Sequence, residues 1–174
     1  MQQSHNSTLE FHEQQQFRQP WVWLLLLIIT VCVGGMFAHG IYTQLYLGQA
    51  WGDRPMSDTA LVISATLSIL ITAGIALLFY TLKLVTIVDP EGIHIRFFPL
   101  RSRKIPFDNI ISCKVRTYKP IREYGGWGIR FSRKGRAYNV SGNRGVQLEL
   151  TKGMPVLIGS QKAEQLAAAI NKYL

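Results

Sequence analysis

The stretch of this chain with the most chemical potential is EYGGWGIRFSRKGRAYNVSGNRGVQLEL, residues 123–150, where six glycines stand among Arg and Lys. Glycine beside cations can cradle a phosphate. A dinucleotide loop, however, needs G-x-G-x-x-G and a P-loop needs G-x-x-x-x-G-K-[ST], each between a strand and a helix. Gly125-Gly126-Trp127-Gly128 has neither the spacing nor the context. The glycines read instead as punctuation: Gly125 and Gly126 lead into a strand, Gly135, Gly142 and Gly145 mark turns, and Gly128 marks a bulge or a close backbone approach.

Other catalytic chemistry has little to build on. The six acidic residues from Lys83 onward are dispersed without a convergent pair, Asp108 reads as a turn or cap residue, and Ser141 and Ser160 lack a His and acid signature. His5, His12, His39 and His94 are scattered, and Cys32 and Cys113 have neither metal-ligand spacing nor a reason to pair. The chain is expected to be non-enzymatic, with no metal and no cofactor.

The elements that carry these residues begin with two apolar stretches. Residues 21–52 and 59–82 contain no Asp, Glu, Lys or Arg, and each exceeds the roughly 20 residues that cross a hydrocarbon core. We expect spans at about residues 21–42 and 59–83, forming a hairpin over 21–84 between a tail, 1–20, and a domain, 85–174. Trp21 and Trp23 suit an interfacial belt. A cleaved signal peptide requires a basic leader, whereas residues 1–20 hold Arg18 against Glu10 and Glu13. The connection between spans carries one Arg, while Lys83, Arg96, Arg101, Arg103 and Lys104 follow the second. That bias places both termini in the cytoplasm and the chain in the inner or plasma membrane. On the second span Ala60, Ser64, Ser68, Thr72 and Ala76 recur every four residues, and Gly34 with Ala38 offers a small-xxx-small partner on the first. Close helix packing or self-association accounts for this ridge; so does the frequency of small residues in membrane helices.

Beyond Leu84 the pattern changes to short alternating segments: 84–88, 93–97, 111–117, 127–131, 136–141, 146–151 and 154–159. A final amphipathic segment places Ala163, Leu166, Ala167, Ile170 and Leu174 on one helical face behind a Ser160 cap. The expected class is α+β, mainly β: seven strands in a small barrel closed by one helix. The Gln-rich start, with Gln14 to Gln16, reads as a poorly ordered tail with an interfacial turn around Phe11 and Phe17.

The segments RKIPFDNIISCKV, REYGGWGIR, GRAYNVSGNRGVQLEL and IGSQKAEQLAAAI resemble the bacterial pleckstrin-homology-like family, in particular its small membrane proteins with two helices before the domain. The likeness covers residues 84–174. It implies a seven-stranded barrel with a C-terminal capping helix, used as a non-enzymatic platform for lipids, peptides or self-assembly. Phosphoinositide-binding relatives place basic residues around the first hairpin, where this chain has Asp89-Pro90-Glu91-Gly92; specific phosphoinositide binding is therefore not implied.

From Lys83 onward 17 Lys and Arg stand against six Asp and Glu. A tethered basic domain meets anionic lipid before nucleic acid, which is not expected as a partner. If the strands form an up-and-down meander, the connections nearest the bilayer contain Arg101, Arg103, Lys104, Arg133, Lys134, Arg136 and Lys152 and no acid. These are the candidate lipid-headgroup residues. Tyr118, Lys119, Arg122 and Tyr124 form a candidate protein-binding surface at the other end, with Trp127 beside it reading as core. The leading expectation is a membrane-anchored binding or scaffold module. The alternative is a subunit or regulator of a larger membrane complex or homo-oligomer.

Overall fold

The structure, a computed structural model, describes residues 10–174; His5 and the rest of residues 1–9 lie outside the described residues. The chain divides into two compact units: Arg18–Tyr80, and the described residues up to Phe17 together with Thr81–Leu174.

The first unit is a helical pair. Helix α1 spans Pro20–Ile41, with Pro at its first turn, and runs into a π-helical stretch, Tyr42–Tyr46. Helix α2 spans Asp58–Thr81 and carries Asp58 in its first turn, where a negative charge suits the helix dipole. Gln44 donates to the Asp58 carboxylate and to the Met56 carbonyl, each at 2.7 Å, and ties the connection together. Both helices are long and apolar enough to cross a membrane, with a mean hydropathy of 2.4.

Phe37, Leu61 and Ala65 are buried together, with Val33, Ile41 and Trp51 packed against them. The ridge on α2 lies on its covered face: Thr72 is buried, Ala60, Ser64, Ser68 and Ala76 are half-buried, and Val62, Ile63, Leu67 and Leu70 are exposed. Its expected partner is not where α1 packs. Gly34 has open space around it and Ala38 is exposed. The reason is volume: α1 presents Phe37, whose bulk needs a small residue such as Ala65 opposite, so large meets small. Trp51 closes over Gly40, where an added Cβ would lie 2.7 Å from the indole.

In the second unit, strands β1 (Phe11–Gln16), β2 (Lys83–Asp89), β3 (Gly92–Phe98) and β4 (Arg101–Ile105) form an antiparallel sheet in that order. Strands β5 (Ile110–Thr117), β6 (Gly128–Ser132), β7 (Gly135–Asn139), β8 (Arg144–Leu150) and β9 (Val156–Gly159) form a second sheet, ordered β5-β8-β9-β7-β6. A short helix α3, Pro120–Tyr124, follows β5 and ends on Gly125 at φ 73°. Helix α4, Ala163–Asn171, buries Leu166, Ala167 and Ile170 against the domain. Leu174 lies beyond it and is exposed, and Ser160 is two residues too early to cap it.

Every strand expected from the alternation is present, together with two more. Within the tail expected to be poorly ordered, residues 1–20, Phe11–Gln16 form strand β1, paired with β2 from Phe11↔Val88 to Gln16↔Lys83. Its inward positions include Glu13 and Gln15, which look like solvent residues in sequence but bond to distant groups. Glu13 accepts from Ser160 Oγ and from the Gln161 N–H, and Gln15 donates to the Gly159 carbonyl at 2.8 Å. The expected basic connection at 99–104 is a two-residue turn followed by β4, an edge strand whose charges suit its exposure.

The expected meander is also corrected. The β6–β7 hairpin lies beyond β9, and β7 pairs with β9 in parallel, Arg136↔Val156 to Tyr138↔Ile158. The interior position of β7 accounts for its consecutive buried residues, Ala137, Tyr138 and Asn139. Because β1 and β2 are neighbours, the segments before α1 and after α2 belong to one sheet.

Candidate functional site

Period-two alternation sorts the first sheet into two faces. On β2, Leu84, Thr86 and Val88 are buried while Lys83, Val85 and Ile87 are only half-covered; on β3, Ile93, Ile95 and Phe97 are buried while His94, Arg96 and Phe98 face out. Register sets Ser102 opposite Arg96 and Lys104 opposite His94. The outward side chains border a groove of about 540 Å³. Within it the Phe98 ring has Lys83 Nζ 5.3 Å and Arg96 Cζ 5.6 Å from its centre, so two cations lie against one aromatic ring. His94 Nε2 lies 3.1 Å from Asp89, and Lys104 Nζ lies 2.6 Å from Glu91.

At one end of the groove the β3–β4 turn, Pro99-Leu100, leaves Leu100 58% and Phe98 37% exposed, with Arg96 and Arg101 on either side. This is the end of the sheet where β1 passes the chain to α1 and β2 receives it from α2, as the Gln16↔Lys83 and Lys83↔Phe98 pairs show. Apolar side chains exposed among cations suit a boundary between water and lipid.

The seven basic residues picked from sequence fall on β4, on the β6–β7 turn with the start of β7, and after β8. Arg101, Arg103 and Lys104 share β4, but Arg101 stands opposite Phe97 near the turn and Lys104 stands near the other end. Arg133 and Lys134 occupy the β6–β7 turn, and Arg136 lies over the Phe131 ring at 4.5 Å. The Lys152 N–H donates to Asn109. Lys83, Arg96, Phe98 and Leu100, which sequence reasoning assigned to no site, occupy the groove and turn. Their signal was the outward set His94-Arg96-Phe98 alternating with an apolar inward set.

The proposed protein-binding surface is corrected more sharply. Tyr118 and Tyr124 are 1% and 4% exposed and form a core cluster with Ala137 and Leu157. Their rings meet edge to face at 6.1 Å, and Tyr118 accepts a 3.0 Å hydrogen bond from Asn139. Only Lys119 and Arg122 of that set remain at the surface. Trp127, expected as core, is half-buried and donates to the Gly142 carbonyl at 2.9 Å. Cys113 is buried, which pushes its thiol up to about 11 and leaves it unreactive.

One charge cluster is structural. Burial alone pushes the Glu123 carboxyl up, but the Lys119 N–H, Lys134 and Arg116 outweigh it and hold Glu123 at about 2, below the ordinary 4.5. A carboxyl depressed in the folded state stabilises the fold above its unfolded pKa and loses that contribution as pH falls toward the folded one. Acid titration from pH 5 to pH 2 therefore removes about 2 kcal/mol after allowance for the exposed Lys134 partner. Glu123→Gln should flatten the thermal-unfolding dependence over that interval, and an undiminished slope would remove Glu123 as its source.

The molecule thus belongs to the class of chains in which two membrane-length helices are carried between adjacent strands of an α+β domain. Over residues 4–173 it matches the Family of unknown function (DUF6141), and it belongs to that family. No curated protein matches the chain.

Proposed function

We propose that this chain is a two-span integral membrane protein whose pleckstrin-homology-like, non-enzymatic domain rests on an anionic leaflet, on the cytoplasmic side, through the Pro99-Leu100 turn. One observation carries the reading: Leu100 and Phe98 are exposed among Lys83, Arg96 and Arg101 at the end of the sheet joined to both apolar helices. Each cation held near anionic lipid contributes about 1 kcal/mol, falling off within a Debye length of about 8 Å, so only cations at this end act together. Two sheets and a C-terminal helix support the fold assignment; β1 and the parallel β7–β9 pair distinguish this chain from the simple seven-stranded pattern.

The test uses the full chain with Cys32 replaced, a fluorophore on Leu100→Cys, and liposomes containing phosphatidylglycerol and brominated lipid. The label is expected to be quenched, and Arg96→Glu with Arg101→Glu should reduce quenching several-fold. Quenching no greater than at an Arg122→Cys control overturns the reading. A second reading, a subunit of a larger membrane assembly, is favoured by the open space around Gly34 and Gly35 on α1. Mass measurement after gentle detergent extraction separates the two.

A further inference from the structure

We infer that the outer face of β3 and β4 is a binding site for a single phosphate ester, held by Arg96, Ser102, Lys104 and His94. The site extends beyond the leaflet contact at the turn and does not depend on it. Arg96 stands directly opposite Ser102, and His94 directly opposite Lys104, on the same face of the sheet. Opposed Cβ atoms in such a pair lie about 5 Å apart, and successive residues on one face lie about 7 Å apart. Four polar side chains therefore border a patch about the size of one phosphate group.

Their chemistry is complementary to that group. The Arg96 guanidinium supplies a planar fork suited to two phosphate oxygens, Lys104 a mobile point charge, Ser102 a hydroxyl donor and His94 an imidazole N–H. Arg96 has no carboxylate partner among the described residues, its recorded neighbour being the Phe98 ring. Ser102 makes no side-chain hydrogen bond among them. The two acids at the far end are each engaged with one member of the set, Asp89 with His94 and Glu91 with Lys104. The Lys104 pair is exposed on both sides, at 45% and 61%, and such pairs contribute little, so the ammonium can turn toward a ligand.

The groove's size and its other wall define the rest of the ligand. At about 540 Å³ it falls in the range of small-molecule sites and exceeds what a bare ion fills. Val85, Ile87 and Phe98 line it beside the cations, giving apolar surface for an organic group attached to the phosphate. A phospholipid headgroup and a soluble phosphate monoester share this chemistry.

The experiment uses the full chain in an uncharged detergent, with glycerol phosphate and short-chain phosphatidic acid as separate calorimetric probes. At least one should bind with one equivalent per chain. Arg96→Ala with Lys104→Ala should weaken it at least about tenfold, whereas Lys114→Ala with Arg122→Ala, an equal loss of charge elsewhere, should leave it unchanged. Ser102→Asp, on an exposed edge strand, should abolish binding at an unaltered unfolding temperature. Binding of glycerol phosphate assigns the site to a soluble ester, and binding of the lipid alone assigns it to a headgroup. Binding of neither probe, or equal weakening by both double substitutions, overturns the inference, whatever the quenching at Leu100 shows.

Discussion

A chain truncated before Arg18 loses its β-rich domain. Strand β1 supplies the edge of the first sheet and buries Phe11, while Phe17 follows it into the core against Phe97, with ring centres 6.2 Å apart. Deleting a buried Phe side chain costs about 3–5 kcal/mol, and a domain of this size has about 5–15 kcal/mol in all. The truncation also removes Glu13 and Gln15, which hold the segment between β9 and α4. Circular dichroism of the solubilised protein should show loss of cooperative β-sheet unfolding, and protease should cut the shortened chain readily. Glu13→Ala, which leaves the buried Ser160 hydroxyl without its acceptor, should cost about 1–3 kcal/mol by itself. An unchanged unfolding temperature after truncation would show that β1 is an ornament on a domain complete without it.

Gly135→Val is the second severe change. Gly135 opens β7 at φ 115°, and a Cβ there would lie 2.2 Å from the Pro155 carbonyl oxygen, which also accepts the Arg136 N–H at 2.9 Å. The backbone conformation alone costs a side chain about 1–3 kcal/mol. The clash adds to this, because its partner is main chain and cannot rotate away. Gly153 separates the two contributions, having φ 102° and open space around it. Gly153→Ala should cost only the conformational part, about 1–3 kcal/mol, whereas Gly135→Val should lower the unfolding midpoint well beyond that or prevent folding. Equal midpoints for the two variants would mean that the β7–β9 junction yields easily.

The two apolar helices and seven of the strands could be read from local pattern, since length, hydropathy and period-two alternation are properties of neighbouring residues. The helix at residues 163–171 was legible for the same reason, through Leu166, Ala167 and Ile170. Local pattern also read most of the glycines between residues 125 and 142 as turn and strand-entry residues. Gly125, Gly126, Gly128, Gly135 and Gly142 all have positive φ and stand at turns, strand starts or a helix end.

Strand β1 and the position of the cations had no local signature. Glu13 is buried only because Ser160 and the Gln161 N–H lie across from it, nearly 150 residues away in the chain, and no nearby residue announces that partnership. Tyr118 and Tyr124 look like an aromatic surface until Ala137 and Leu157 are brought over them. The cationic lip rested on a strand order that the parallel β7–β9 pair replaces. Sequence alone therefore determined both long helices, the C-terminal helix, seven of the strands and where charge is plentiful. Tertiary pairing decided which polar residues go inside and which cations share a face, because burial and proximity depend on partners remote in the chain.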